Sequence, residues 1–334
     1  MAVASVLLSI TAAAAPAYAC GCGAVVPSPG AAVDVTSESA IISLKDGVET
    51  IVLSLDVDSA LANAGLIVPT PRPATITAGD PALFDSLAAQ TVPRERIVDD
   101  WWGNTVGPVQ GDNAPSVVSR VTVGPLEATT LEATDTAGLS SWLTQNGFEV
   151  PAETSAQLQH YIDQKWQFVA VKLSTDGAPE GTLLDGTLAP LQIAFPSESL
   201  LYPLEMLKTS PEAQSMRLNV FSDTRIDLVR AGTTDQPLDA AVRTVWAGPV
   251  TETGLTPLGT YLTVVDLRFD APATQISSDI GIVTAPNNDI VDPAIVVVRP
   301  IELLGFPLGT LLVFWAAIGL IGLLVVTVAR SRLR

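Results

Sequence analysis

Residues 40–57 read Ala-Ile-Ile-Ser-Leu-Lys-Asp-Gly-Val-Glu-Thr-Ile-Val-Leu-Ser-Leu-Asp-Val. Asp46-Gly47 supplies two residues that accept positive φ, the requirement of a two-residue hairpin turn. The flanking segments Ala40–Lys45 and Val48–Val57 are rich in β-branched and aliphatic residues, which predicts a hairpin. In the second arm Ile51, Leu53, Leu55 and Val57 share one face, and Val52, Ser54 and Asp56 share the other. That two-residue period is incompatible with a helix and makes strands the framework of the chain.

Working outward, Leu66–Pro69 reads as a strand that leaves its sheet through Pro-Thr-Pro-Arg-Pro. Asp80 is expected to cap a short helix opening at Pro81, with Leu83, Phe84 and Leu87 on one stripe. Val117–Val123 and Leu126–Ala133 read as a strand pair joined at Gly124-Pro125. Two helices follow. The first, capped by Asp135 or Thr136, buries Leu139, Trp142 and Leu143 and stops at Gly147, with Phe148 folding back onto its last turn. The second, roughly Ala152–Lys165, turns Leu158, Tyr161 and Ile162 inward and His160 to solvent, within reach of Asp163. Trp166–Ser174, Thr187–Phe195, Ser215–Phe221, Thr260–Asp270, Ile280–Thr284 and Ala294–Val298 return to strand. The expected class is α+β: a mostly antiparallel β ectodomain with a few packed helices, plus one C-terminal transmembrane helix.

The ends carry the addresses. Residues 1–19 lack charge and close on Ala17-Tyr18-Ala19, a signal-peptidase pattern that would leave Cys20 first in the mature chain. From Leu303 to Ala329 there are 27 residues without a charge, followed by Arg330, Arg332 and Arg334. As a helix, Leu308–Ala329 alone extends about 33 Å, against a hydrocarbon core of about 30 Å. Cationic residues stay on the cytoplasmic side. The expected organisation is therefore a signal peptide over 1–19, an extracytoplasmic domain over 20–302, a transmembrane helix over 303–329 and an Arg-rich cytoplasmic tail over 330–334. Two subdomains meeting near 180–230 are one arrangement of the ectodomain. The expected location is the bacterial cell membrane, with a single pass.

The whole chain of 334 residues carries 35 acidic and 17 basic side chains, a net charge of −18. Setting aside the tail arginines leaves the ectodomain with 14 cations against all 35 acids, a net of −21. Such a surface excludes nucleic acid as a partner, because phosphate binding needs cations. The absence of an Asn-x-Ser/Thr sequon agrees with a bacterial envelope protein.

Few residues offer chemistry. Cys20 and Cys22, one residue apart, could form a disulfide, act in thiol redox, bind a soft metal as two thiolates, or carry a lipid on Cys20. His160 is the single histidine, so a zinc array is excluded. Asn287, Asp289 and Asp292 gather oxygen ligands suited to calcium, without the spacing of a known loop; the alternative is a solvated turn. Trp101 and Trp102, adjacent in a polar stretch, suit a glycan or protein contact if exposed; the alternative is packing under their loop. No phosphate loop, nucleophile elbow or His-Glu-x-x-His is present, and no cofactor is expected. The expectation is a non-catalytic binding or structural module in the envelope, whose partners are the membrane and a protein or glycan ligand. The alternatives are a carboxylate-dependent hydrolase and a thiol redox or metal-handling protein using Cys20 and Cys22.

Several short motifs occur in a recognisable order. They begin with Cys20-Gly21-Cys22-Gly23, Leu66-Ile67-Val68-Pro69-Thr70-Pro71 and Leu83-Phe84-Asp85. Leu139-x-x-Trp142-Leu143-x-x-Asn146-Gly147-Phe148 with Pro151, then Tyr161 and Trp166-Gln167-Phe168-Val169-Ala170, continue the series. Pro190-Leu191-x-Ile193-x-Phe195 and Tyr202-Pro203-Leu204 complete it. Together they resemble the DUF2330 family of uncharacterised bacterial exported proteins over most of residues 20–230. The resemblance implies a bacterial envelope protein of unknown function and brings no catalytic residue with it.

Overall fold

The computed structural model describes residues 19–28, 33–102, 120–121, 127–131, 136–148, 150–175 and 180–332. The expected leader, apart from Ala19, and Asp135 of the expected helix cap lie outside the described residues. The chain divides into two compact units, one drawn from residues 1–91 and 117–291 and the other from 92–116 and 292–334.

In the first unit the 46–47 turn forms as its dipeptide dictates, with Asp46 at φ 52° and Gly47 at φ 74°. Its arms, Val33–Lys45 and Val48–Ser59, run well beyond the predicted ends. They lie inside a nine-stranded sheet. On one side Gln214–Ser222 runs parallel to Val33–Lys45, and the antiparallel strands Tyr261–Phe269 and Ala241–Pro249 follow. On the other side Gly186–Leu188 and Leu191–Pro196 both pair with Val48–Ser59. A second, wholly antiparallel sheet takes the order Ala19–Cys20, Gly23–Val26, Asn63–Thr70, Gln167–Ser174 and Glu127–Leu131. A small third sheet joins Leu201–Tyr202, Ile280–Thr284 and Ile226–Arg230.

The two large sheets share one core. Ile51, Leu53, Leu55 and Val57 from the hairpin pack with Val25, Leu66, Val68, Val169 and Val171 from the smaller sheet. The outer face of the smaller sheet, through Val26, Ile67 and Phe168, is covered by helices Thr136–Gln145 and Ala152–Asp163 using Leu139, Leu143, Leu158 and Tyr161. The outer face of the larger sheet, through Ile41, Val52 and Phe221, is covered by helix Ala82–Gln90 using Leu83, Phe84 and Leu87. Because both faces of each sheet are buried, central strands read as unbroken apolar runs such as Leu66-Ile67-Val68. Each such side chain contributes about 1.5–3 kcal/mol on burial. The helix signals act as expected: Asp80 accepts from Ala82 N–H at 2.9 Å. Gly147, at φ 86°, lets Phe148 N–H reach Leu143 C=O at 2.9 Å and sets the buried Phe148 ring against the helix cluster. The α+β class is correct.

Two expectations fail for identifiable reasons. Among the described residues the expected pair around Gly124-Pro125 is not seen, because its described strands enter different sheets. Arg120–Val121 runs parallel to Gly186–Leu188, whereas Glu127–Leu131 extends the edge left open by Gln167–Ser174. The expected strand Thr187–Phe195 is two strands, broken at Ala189-Pro190 because proline offers no N–H to a ladder. There the Pro190 carbonyl turns to accept from Gly79 N–H at 2.7 Å.

In the second unit Arg94–Asp100 and Ala294–Pro300 form a parallel two-stranded ribbon. A tight hairpin, Glu302–Leu303 paired with Phe306–Pro307, follows the ribbon. The helix Leu308–Arg332 then begins. The uncharged run thus starts with a hairpin, and the helix starts five residues later than the run. Leu308–Ser331 is long and apolar enough to cross a membrane, and none of its apolar window is buried.

Candidate functional site

The carboxylates that the first unit buries converge on one short segment, residues 201–208. Its strand Leu201–Tyr202 leads through Leu204 into a 3-10 turn, Glu205–Thr209. Four carboxylates, Glu38, Glu49, Glu205 and Asp279, are buried around it.

Glu38 stands on the first arm of the hairpin in phase with Ala40 and Ile42, so the strand period sends it into the core. It accepts from the Tyr202 hydroxyl and from Gly21 N–H at 2.5 Å, and also from Cys22 N–H. Burial pushes its carboxyl up to about 7, and those donors hold it back from rising further. Gly21 and Cys22 form the turn between Ala19–Cys20 and Gly23–Val26, so the Cys-Gly-Cys motif is a cap over a buried acid. A Cβ on Gly21 would fall 1.8 Å from Met216 Cε and 2.6 Å from Glu38 Oε1, which is why the middle residue is glycine. The Cys22 thiol is buried against the Tyr202 hydroxyl. Burial first, then the charges of Cys22 and Glu38, drive the Tyr202 phenol well above its ordinary range.

Glu49, in phase with Ile51 and Leu53 on the second arm, accepts from Leu201 N–H at 3.1 Å. Burial raises its carboxyl to about 8. Asp279 Oδ1 accepts from Leu204 N–H at 2.7 Å, Glu205 N–H at 3.1 Å and the Tyr161 hydroxyl at 2.6 Å. Its carboxyl is also raised, chiefly by burial. Glu205 receives Lys208 Nζ at 2.8 Å and lies 3.3 Å from His160 Nε2. His160 therefore pairs across the fold with Glu205, not with Asp163, which accepts instead from Gln159. One residue on, Tyr161 faces inward, so the edge of the helix reaches the 3-10 turn.

Glu38, Glu49 and Asp279 accept hydrogen bonds that fix backbone or aromatic groups, and Glu205 accepts from Lys208; this is the chemistry of a scaffold. None was singled out from the sequence as functional, although acidic residues at inward strand positions, Glu38 and Glu49, were the readable signal. A separate cavity of about 470 Å³ opens between Ile226–Arg230, Ile280–Thr284 and the Ala241–Pro249 and Tyr261–Phe269 strands. Its polar lining includes Asp227, Asp235, Thr244 and Thr284.

The residues expected to carry chemistry do not converge. Cys22 belongs to the Glu38 cluster; Cys20 pairs with Gly23 in the turn. Asn287 Oδ1 accepts from Asp289 N–H at 3.1 Å, forming a local turn in the first unit. Asp292 belongs to the second unit, where its carboxylate meets Arg94 Nε at 2.5 Å. Among the described residues no group of three His, Cys, Asp or Glu side chains is arranged to hold a metal. Trp101 and Trp102 are exposed, at 48% and 56%, and stand at the start of the apolar helix. Trp101 C=O accepts from Gly309 N–H at 2.7 Å, and a Cβ on Gly309 would lie 2.8 Å from the Trp102 ring.

The family described as "Uncharacterized protein conserved in bacteria (DUF2330)" matches residues 16–283. No curated protein matches the chain. The crystal structure of baculovirus P35 aligns with 78% of this chain and 97% of its own, at 7% identity and a TM-score of 0.35. At that level the likeness carries nothing over to this chain.

Proposed function

The chain belongs to the DUF2330 family of bacterial proteins, and from that premise we propose that it is a single-pass envelope protein whose acidic ectodomain is a non-catalytic binding or structural module. A cleaved leader exports residues 20–302, the helix holds them at the membrane and the arginines remain in the cytoplasm. The observation that carries the reading is the apolar helix Leu308–Ser331, none of whose apolar window is buried, immediately followed by Arg332 and Arg334 and preceded by a folded unit rich in acid. Exposing such a helix to water is costly, and a bilayer removes the cost. The non-catalytic part rests on how the buried acids are used. Glu38 accepts from the Tyr202 hydroxyl, Glu49 and Asp279 accept from the Leu201 and Leu204 N–H groups, and Glu205 holds Lys208, so these acids hold the 201–208 segment in place.

Protease added to intact cells tests the topology. The expected result is loss of the ectodomain with retention of a short fragment carrying a C-terminal tag, and resistance of the whole chain to carbonate extraction. Protection of the ectodomain, or release by carbonate, overturns the reading. Turnover of an ester, peptide or glycan substrate by purified chain, abolished by Glu38→Gln or Asp279→Asn without loss of fold, would overturn its non-catalytic part.

A further inference from the structure

We propose that Trp101, Trp102 and the Leu303–Phe306 hairpin form a collar seated in the headgroup layer of the lipid bilayer, so that the ectodomain is docked on the membrane by a second contact besides its helix. The inference deepens the anchor reading above and rests on it.

The residues come together within one unit of the fold. The ribbon strand Arg94–Asp100 delivers Trp101 and Trp102 beside the helix start, where Asp100 C=O accepts from Ile301 N–H at 2.9 Å and Trp101 C=O from Gly309 N–H at 2.7 Å. The Trp102 ring and the Trp101 carbonyl come close enough to Gly309 to leave no room for a side chain there. On the other strand the chain turns through Leu304 and Gly305 before entering the helix, with φ 57° and 79°. Left-handed backbone costs a leucine about 1–2 kcal/mol, and asparagine or glycine would normally occupy the position. Leu304 is nevertheless 89% exposed, so burial of its side chain among the described residues does not offset that strain. Leu303 and Phe306 beside it, at 54% and 59%, are also turned outward. An apolar group held outward at a conformational cost has its partner outside the chain.

Depth decides what that partner is. Two residues of strand carry the hairpin tip at most about 7 Å from Pro307, the residue before the helix. The headgroup layer on each side of the hydrocarbon is about 5–8 Å thick. A tip tethered so closely to the first turn of the span cannot leave that layer. Tryptophan, with an apolar body and one N–H donor, prefers that layer to either water or acyl chains. Continuity with the span therefore selects lipid over a soluble glycan or protein as the occupant.

The full chain reconstituted in phosphatidylcholine–phosphatidylglycerol vesicles tests this with tryptophan emission. Subtracting a Trp101→Phe/Trp102→Phe chain from the wild type isolates the collar rings, and subtracting a Trp315→Phe chain isolates the ring within the span. Lipids brominated near the glycerol end should quench the collar rings strongly, lipids brominated deep in the chain should quench Trp315, and aqueous iodide should quench neither. Collar emission quenched by iodide and untouched by brominated lipid overturns the inference and leaves these residues to a glycan or protein partner. If Trp315 also escapes the deep quencher, the anchor reading itself falls. A Leu304→Asn chain keeps the left-handed turn and should lose part of the shallow quenching of the collar; unchanged quenching would remove the hairpin from it.

Discussion

Gly21 donates its backbone N–H to Glu38 Oε2 at 2.5 Å, joining the Cys-Gly-Cys turn to the centre of the long hairpin. The contact leaves no room for a side chain, since a Cβ on Gly21 meets both Met216 and Glu38. Gly21→Ala should therefore destabilise the fold by about 1–3 kcal/mol, the usual range for overpacking. Met216→Ala in the same chain should recover part of the loss, because the nearest clash is with the far end of that flexible side chain. Chemical denaturation of the two single variants and the double variant measures the coupling; strictly additive losses would separate Gly21 from Met216.

Glu38 and Glu49 give stability a pH dependence of defined sign. Both carboxyls are raised from 4.5 in the folded state, to about 7 and about 8, mainly by burial. Folding therefore takes up protons in the interval between 4.5 and 8. The stabilisation is complete below the unfolded value and is lost as pH rises through 7 and then 8. The melting temperature should be higher at pH 5.5 than at pH 8.5, with an effect on the order of a few kcal/mol across the window. Glu49→Gln, neutral at every pH, should flatten the upper part of the curve and stabilise the protein at pH 8.5. A melting temperature that rises steadily from pH 5.5 to 8.5 would contradict the burial of both acids.

Asp279 and His160 lie at the two ends of one polar cluster and should respond very unequally to removal. Asp279 is buried and accepts from Tyr161, Leu204 and Glu205, so Asp279→Ala leaves three donors without an acceptor. The loss should be about 3 kcal/mol or more. His160 is half exposed, and its pairing with Glu205 at 3.3 Å is an edge contact of the kind worth at most about 1 kcal/mol. Thermal melts of Asp279→Ala and His160→Ala distinguish them; comparable losses would mean that the histidine holds the cluster together.

The parts of the fold that were legible in the sequence are those written in local rules. Asp46-Gly47 fixed a turn through φ, Gly147 fixed a helix end, and the alternation Ile51, Leu53, Leu55, Val57 fixed an inward face. Sheet membership was not legible, because Arg120–Val121 and Glu127–Leu131 are neighbours in sequence whose partners, Gly186–Leu188 and Gln167–Ser174, are set by distant edges. The Ile226–Arg230 and Ala241–Pro249 strands lacked a decisive pattern: the first alternates poorly, and the second is exposed over its first half. The carboxylate cluster was hidden for a different reason. Glu38 and Glu49 resemble any of the 35 acids until the inward phase of each arm is combined with Tyr202 and Leu201, more than 150 residues away. The tryptophan pair was visible at once, but its nearness to the helix depends on a parallel pairing between strands about 200 residues apart.

That pairing supports a last prediction. Among the described residues the ribbon Arg94–Asp100 with Ala294–Pro300 has two strands, and six of the seven residues in its first strand are exposed. Two strands without a covering layer are marginally stable in water. The Arg94–Asp292 ion pair cannot compensate, since Arg94 is 82% exposed and such pairs contribute at most about 1 kcal/mol. Amides of the ribbon should therefore exchange through local opening, whereas amides of Ile51–Val57, buried between two layers, should wait for global unfolding. With global stability of about 5–15 kcal/mol, the difference in exchange rate in detergent should exceed about a thousandfold. In lipid vesicles, docking of the Trp101–Trp102 collar should slow exchange at Asp99, Asp100 and Ile301, next to the helix start, more than at Arg94 and Glu95. Uniform exchange along the ribbon in both environments would show that the membrane contact ends at the helix.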